Sequence, residues 1–259
     1  MIHRKSQRDL ERMAAAGAIV AETLALLAES ARPGMSTLEL DEIAERHIRA
    51  AGGVPTFKGY RGFPGSICAS PNTMIVHGIP SEDVVLADGD IISIDVGVTR
   101  QGFVGDSAVT IPIGEVPEST LDLLRTCQAS LAAAVAASQA GGRLGDIGAA
   151  VQGVVESAGF GVVRDLVGHG VGRAMHEDPQ VRNYGQAGTG PELKPGMTLA
   201  IEPMITAGAY DIRIDDDGWS IFTTDDSLAA HFEHTVAITE DGPRVLTLAD
   251  GASIVDRPI

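Results

Sequence analysis

LADGDIISID, residues 86–95, and LKPGMTLAIE, residues 193–202, follow one pattern 107 positions apart. Leu86 and Leu193, Gly89 and Gly196, and Ile94 and Ile201 are identical, and Asp95 falls on Glu202. The offset persists upstream, where GMSTLELDEIAERHIRAAG (34–52) aligns with GGRLGDIGAAVQGVVESAG (141–159). There Gly34 and Gly141, Ala51 and Ala158, and Gly52 and Gly159 match. Apolar Leu40, Ala44 and Ile48 fall on Ile147, Val151 and Val155. A two-fold repeat with an acid at the same place in each half brings carboxylates together at its pseudo-symmetry axis. Buried carboxylates repel one another unless positive charge neutralises them. A pair of divalent cations is the simplest neutraliser.

The rest of the sequence limits the class. A chain of 259 residues suits one large domain or two modest ones and can bury a substantial core. A net charge of −16 argues against nucleic acid (DNA included) or an anionic membrane as the main partner. The basic start, His3, Arg4, Lys5 and Arg8, reads as a solvated helix end; a ribosomal RNA contact is the weaker reading. Cys68 and Cys127 give no disulfide framework, which fits a reduced cytoplasmic protein. No apolar run stands out as membrane-spanning, and the charged, then amphipathic, N-terminus does not read as a secretory signal.

Helical spacing of Leu10, Met13, Ile19, Leu24 and Leu27 predicts a helix over 6–30, broken by Pro33-Gly34. Ser36 and Glu39 form a capping box opening a second helix over 36–51. In the second half, Ser119 and Asp122 open 119–138, Gly141-Gly142 breaks it, and 143–158 is its partner. Strands are expected at 66–70, 90–98, 106–113, 162–167, 197–205, 220–224 and 231–239. Asp95 and Asp106 lie 11 residues apart, Glu202 and Glu233 31 apart. The surplus, about 20 residues of tolerated loop insertion, holds Asp215-Asp216-Asp217-Gly218 and Trp219 and reads as a hairpin over the site.

Asp95, Asp106, His169, Glu202 and Glu233 make a metal set. All but His169 sit in, or at the start of, apolar strands that cannot hydrate a carboxylate. Any one of them alone is as easily a surface acid at a strand end; four related by a repeat are not. Four carboxylates and one imidazole suit Mn(II), Fe(II), Co(II) or Zn(II). His176, seven residues after His169, and His77, in a Gly/Pro turn, stand out beside them. His231 and His234 flank Glu233 and, by strand alternation, point away from it. His3 and His47 read as exposed helix positions.

With these residues placed, the chain resembles a type I methionine aminopeptidase over nearly its whole length. The motifs are GYRGFPGSICASPN (59–72), VHGIP (76–80), SIDVGV (93–98), GD (105–106), GHGVGRAMHEDPQV (168–181), IEPM (201–204), DGW (217–219) and FEHT (232–235). The resemblance implies the α/β (α+β) pita-bread fold: two pseudo-symmetric halves, about 1–115 and 116–259, forming a single catalytic domain over 1–259 with helices packed on a curved antiparallel sheet. It also implies roles. Asp95 binds one metal, Asp106 and Glu233 bridge two, and His169 and Glu202 hold the second, with Glu202 shuttling a proton. His77 and His176 contact substrate and the developing tetrahedral centre. Tyr60, Phe63, Cys68 and Trp219 line the methionine pocket. Phe57 and Met175 occupy two further lining positions, where other residues are common in the family, and Val76 before His77 is another departure.

Members of the family can also bind a monovalent cation near the site, and Asn72 matches part of that pattern. The implied reaction removes the N-terminal methionine of nascent polypeptides when the second residue is small. The implied protein is a cytoplasmic monomer with at most transient ribosome contact. There is no room between His176 and Glu202 for the insertion of type II enzymes. Two rivals stand beside this reading. One is a proline-directed peptidase of the same fold; those usually carry a large N-terminal domain not found within 1–259. The other is a non-catalytic binding protein on the fold, whose relatives typically lack metal ligands that are all present here.

Overall fold

The computed structural model describes residues 1–248. Four α-helices are found among them: α1 (Gln7–Ser30), α2 (Thr37–Ala50), α3 (Glu118–Ala137) and α4 (Leu144–Ser157). Strands β1 (Val54–Pro55), β2 (Cys68–Pro71), β3 (Met74–Val76), β4 (Ile91–Arg100) and β5 (Phe103–Pro112) follow α2. After α4 come β6 (Gly161–Val162), β7 (Gly168–Gly170), β8 (Glu177–Val181), β9 (Thr198–Ile201) and β10 (Met204–Thr206). The chain continues through β11 (Ile212–Ile214), β12 (Ile221–Thr223), β13 (Ala229–His231), β14 (His234–Thr239) and β15 (Gly242–Val245). The strands pair antiparallel among the described residues, and the two larger sheets run β1-β4-β2 with β5 on β4, and β15-β14-β9-β7-β8.

The repeat is structural. α2 and α4 span residues related by the same offset of 107, and α1 and α3 end at related residues. Matched glycines adopt matched left-handed backbones: φ is 86° and 85° at Gly34 and Gly141, 77° and 84° at Gly52 and Gly159, and 92° and 91° at Gly89 and Gly196. A side chain strains that backbone region, so glycine is required at the same turns in both halves. Even the isolated bridges correspond, Ser36 to Val85 and Arg143 to Glu192. One core cluster draws on both halves, with Leu40, Ile48, Ile94 and Val98 beside Ile147, Val155, Leu199 and Ile201.

Several expectations are corrected. The Ser36–Glu39 box caps α2 as read, and a second box, Ser6 with Asp9, opens α1. α3 instead starts at Glu118 after Pro117 with no side-chain cap, so Ser119 and Asp122 lie inside it. α1 is long and apolar enough to cross a membrane by length and composition. It is a core helix, with Met13, Ala16, Val20, Leu24 and Leu27 buried against β4 and β5. Residues 3–5 precede α1 rather than forming a solvated helix end, and the Lys5 side chain is only 7% exposed. His3 therefore lies off the helix, and His47 is half-buried 3.6 Å from Glu22. The strand expected over 162–167 stops at Val162, and those over 197–205 and 231–239 are each broken in two. The last eleven residues of the proposed second half, 249–259, lie outside the described part.

α1 reaches β5 through glycines. A Cβ on Gly105 would lie 2.7 Å from Gly17 N and 2.9 Å from its Cα. That contact sets the depth of β5 one residue before Asp106. Gly105→Ala must push helix and strand apart. It is expected to cost about 1–3 kcal/mol, the usual price of overpacking, read as a lower urea midpoint.

Candidate metal centre and its cavity

Asp95 and Asp106 come from the long β4–β5 hairpin, whose register sets Asp95 opposite Ala108 and Gly97 opposite Asp106. The two acids are therefore diagonal neighbours on one face. Glu202 stands in the break between β9 and β10, at Pro203, and Glu233 in the break between β13 and β14. These are the corrected positions for two acids expected inside strands, while His169 lies within β7. Breaking a strand at the acid frees its side chain from strict alternation.

Hydroxyls join the β5 edge to the segment that carries Glu233. Thr235 Oγ1 accepts from Asp106 N at 3.0 Å and donates to Asp106 O at 2.9 Å. Ser107 Oγ donates to Glu233 O, and Glu233 N donates to Ala108 O at 3.0 Å. Thr110 Oγ1 donates to His231 O at 2.9 Å and accepts from His231 N at 2.8 Å. Asn183 Nδ2 donates to Glu202 O at 2.9 Å.

The five expected ligands converge. His169 Nε2 lies 3.6 Å from Glu202 Oε1 and 3.7 Å from Asp106 Oδ2. Its Nδ1 is 2.9 Å from Gly170 O, an acceptor only, so Nδ1 carries the proton and Nε2 turns a lone pair towards the acids. Asp106 and Glu233 are buried, and Asp95 and Glu202 open onto the cavity. Asp95 Oδ1, Asp106 Oδ1 and Glu233 Oε1 are buried without a hydrogen-bond partner. Such orphaned oxygens are costly unless a ligand takes them. Burial pushes the Asp95 carboxyl up to about 7. Burial, then neighbouring carboxylates, push Asp106 and Glu233 well above their usual range; Glu202 is raised by burial and by Asp95. An oxygen-rich set with one neutral imidazole, unsatisfied in this way, fits hard to borderline divalent cations.

His231 overturns the expectation that it points away. Its Nε2 lies 3.7 Å from Glu233 Oε2 and 3.9 Å from Glu202 Oε2, buried and without a hydrogen-bond partner. The expectation miscounted the alternation: His231 and Glu233 stand two residues apart, and period 2 puts such residues on one face, while His234, one residue on, is sent to the other. His234 is buried in hydroxyl contacts with Ser107 and Thr247, as a packing residue. Burial drives His231 down to about 3 and His77 and His169 to about 4. His176 is lowered too, by burial and the Arg61 guanidinium.

The ligands form one wall of a cavity of about 220 Å³. That is below the roughly 300–1,000 Å³ of sites for drug-sized ligands. Tyr60, Phe63, Cys68, Met175, Trp219, His77 and His176 line it as expected, as do Phe57 and Val76. Phe63 and Trp219 meet edge to face at 5.1 Å. Trp219 arrives on the β11–β12 hairpin, as the inserted segment predicted. Phe57 packs over Gly97, where a Cβ would lie 2.6 Å from the ring. Cys68 pairs with Asp95 across β2 and β4; burial and the nearby acids raise its thiol, so it is a wall rather than a nucleophile. His176 Nδ1 is 2.8 Å from the Tyr60 hydroxyl. The Asn72 side chain closes a turn, donating to Asp90 Oδ1 at 2.8 Å and accepting from Ile91 N at 3.1 Å. Arg61, Leu166, Val167 and Met204 also line the cavity and were missed. Met204 in IEPM and Arg61 in GYRGF sat inside quoted motifs, whereas 166–167 carry only apolar character.

The comparisons agree with this geometry. Residues 11–240 match the model of metallopeptidase family M24, and the chain belongs to that family. A methionine aminopeptidase of Clostridium acetobutylicum is 49% identical over 250 residues, covering 96% of this chain and all of the relative. Methionine aminopeptidase 1 of Bacillus subtilis is 50% identical, covering 95% and 99% of the two chains. The crystal structure of methionine aminopeptidase from Thermotoga maritima superposes with a TM-score of 0.95 at 43% identity, over 96% of this chain and all of that one. The chain is thus a hydrolase of the pita-bread fold.

The raised acids predict how metal-free protein responds to pH. Above about pH 7 ordinary histidines are mostly neutral, so the buried neutral histidines of the fold no longer differ much from those of the unfolded chain. Asp95, raised to about 7, and the other three acids, raised well above the ordinary carboxylate range, hold protons in the folded chain that the unfolded chain has lost. The folded state binds more protons, so stability falls as pH rises. Chelated protein should lose thermal stability between about pH 7 and 8.5, and Mn(II) or Co(II) should restore it most at the upper end. A flat Tm across that range in chelated protein would contradict the assignment.

Proposed function

We propose that the enzyme removes the N-terminal methionine from polypeptides whose second residue is small. The observation that carries this is the convergence of five metal-type ligands and two histidines on one small apolar cavity. A thioether fits a wall of Phe63, Trp219, Met175 and Cys68 and gains sulfur–aromatic contact. The second residue lies beside the acids, where space is least.

In this reading Asp95, Asp106, His169, Glu202 and Glu233 hold two divalent cations, of Co, Mn, Fe or Zn. When bound, the cations polarise the scissile carbonyl and acidify a water towards neutrality. Glu202, at the strand break and open to the cavity, takes the water's proton and passes it to the leaving amine. His176 is neutral, and the Tyr60 hydroxyl on its Nδ1 leaves Nε2–H free to donate to the oxyanion. His77, also neutral, is held at φ 61° beside Trp219 and contacts the substrate backbone. Residues 1–259 act as one catalytic domain of two related halves, a cytoplasmic monomer that meets nascent chains with at most transient ribosome contact. The free cysteines fit that compartment.

Two experiments test it. On matched tripeptides, Met-Ala-Ser should be cleaved efficiently, and Met-Lys-Ser, Leu-Ala-Ser and Ala-Pro-Ala poorly; Ala-Pro-Ala as best substrate would move the protein to the proline-directed enzymes. His169→Ala should lower metal content. His176→Ala should retain metal and lose about 10²–10³-fold in kcat, as for one oxyanion donor. Equal metal loss in both variants would reject the division of roles.

A further inference from the structure

The mechanism leaves one buried ion pair unused. Lys5 Nζ donates to Glu177 Oε2 at 2.6 Å, with side chains only 7% and 10% exposed. Glu177 directly follows His176. Its other oxygen, Oε1, accepts from Arg173 N at 2.8 Å and Ala174 N at 3.3 Å. One carboxylate thus ties both sides of the 173–177 turn that carries Met175 and His176. The remaining contacts place Lys5 firmly. Lys5 N donates to Gly196 O at 2.6 Å, and Arg4 Nε to Pro195 O at 2.6 Å. Gly196 begins the approach to β9 and Glu202. A Cβ at Gly172 would lie 2.4 Å from Lys5 Cε and 2.7 Å from Glu177 Oε1, so a side chain there would displace the pair.

We infer that the Lys5–Glu177 pair is a positioning device. The N-terminal segment ahead of α1, outside the repeat, fixes the turn that presents His176 to the cavity. The inference rests on the role of His176 given above. Glu177 touches no reacting atom. It acts through the turn's backbone, and Lys5 acts by neutralising and orienting Glu177. A buried carboxylate gripping two backbone N–H groups needs a counter-charge to stay ionised in that orientation. The His176 ring itself meets the Tyr60 hydroxyl at its Nδ1 and the His169 ring at 4.2 Å.

Removing one charge strands the other in the interior, which can prevent folding. The test therefore uses the neutral pair Lys5→Met/Glu177→Gln, alongside Lys5→Arg as the conservative variant. All are made in wild type and in His176→Ala, metal-loaded and assayed on Met-Ala-Ser. Small displacements of a positioned group cost up to about 10²-fold in rate, so the neutral pair is expected to lower kcat about tenfold. KM and metal content should stay near wild type, Lys5→Arg should recover most of kcat, and His176→Ala should erase the difference. The same loss in both backgrounds, or no loss in either, overturns the inference. Nitrogen-15 NMR of histidine in zinc-loaded protein reads the Tyr60 hydrogen bond on His176 Nδ1 directly. Its signal should change in the neutral pair; a lower kcat with an unchanged signal overturns the inference. A changed signal with unchanged kcat keeps the positioning and removes the catalytic role of His176.

Discussion

Four carboxylates share one buried space, and their mutual repulsion is the constraint around which this molecule is arranged. Asp95, Asp106, Glu202 and Glu233 come from different strands or strand breaks, and three of their oxygens have no hydrogen-bond partner. A fold that leaves such oxygens unpaired must either protonate them or supply cations. Burial and repulsion push the acids towards the protonated form, and cations reverse this by replacing protons. The neutral imidazole of His169 completes a set with lone pairs turned inward.

What holds the acids together is not a continuous sheet. The ladders end where Glu202 and Glu233 stand, and Thr110, Ser107 and Thr235 bind the facing backbones across the gap. Hydroxyls suit this place because each can donate and accept, so one side chain satisfies both backbone groups left over by a strand break. The glycine contact between α1 and β5 sets the depth of the hairpin bearing Asp95 and Asp106. Positioning is therefore shared among helix packing, strand register and a few polar stitches, each independent of any bound ion.

The cavity adds selectivity to a centre that is in itself general peptide chemistry. Its apolar wall belongs to a hydrophobic cluster containing Leu10, Met13, Phe103 and Leu246, so the pocket is an extension of the core rather than a surface groove. Its shape is consequently as rigid as the packing behind it. The histidines that line the cavity beside it, His77 and His176, stand outside this cluster, His77 in a left-handed conformation and His176 beside Glu177. A rigid wall with turn-borne donors separates choice of side chain from handling of the peptide bond.

The sequence by itself determined the repeat, and with it most of the fold. Matched glycines require left-handed turns, and matched apolar spacing requires equivalent helices, so local rules already specify two similar halves. It also marked the metal set, because acids in apolar strands are anomalous wherever they point. Only the tertiary structure decided where strands break. Period 2 sets His231 and Glu233, two residues apart, on one face, but only the packing of the broken strands brings Glu202 within 3.9 Å of His231. Tertiary structure likewise decided the fate of Lys5, which composition reads as a solvated charge and the fold buries against Glu177, 172 residues away. Alternation and helical spacing are properties of neighbours along the chain. Burial of a charge depends on what arrives from elsewhere, and that is fixed only when both halves close around the acids.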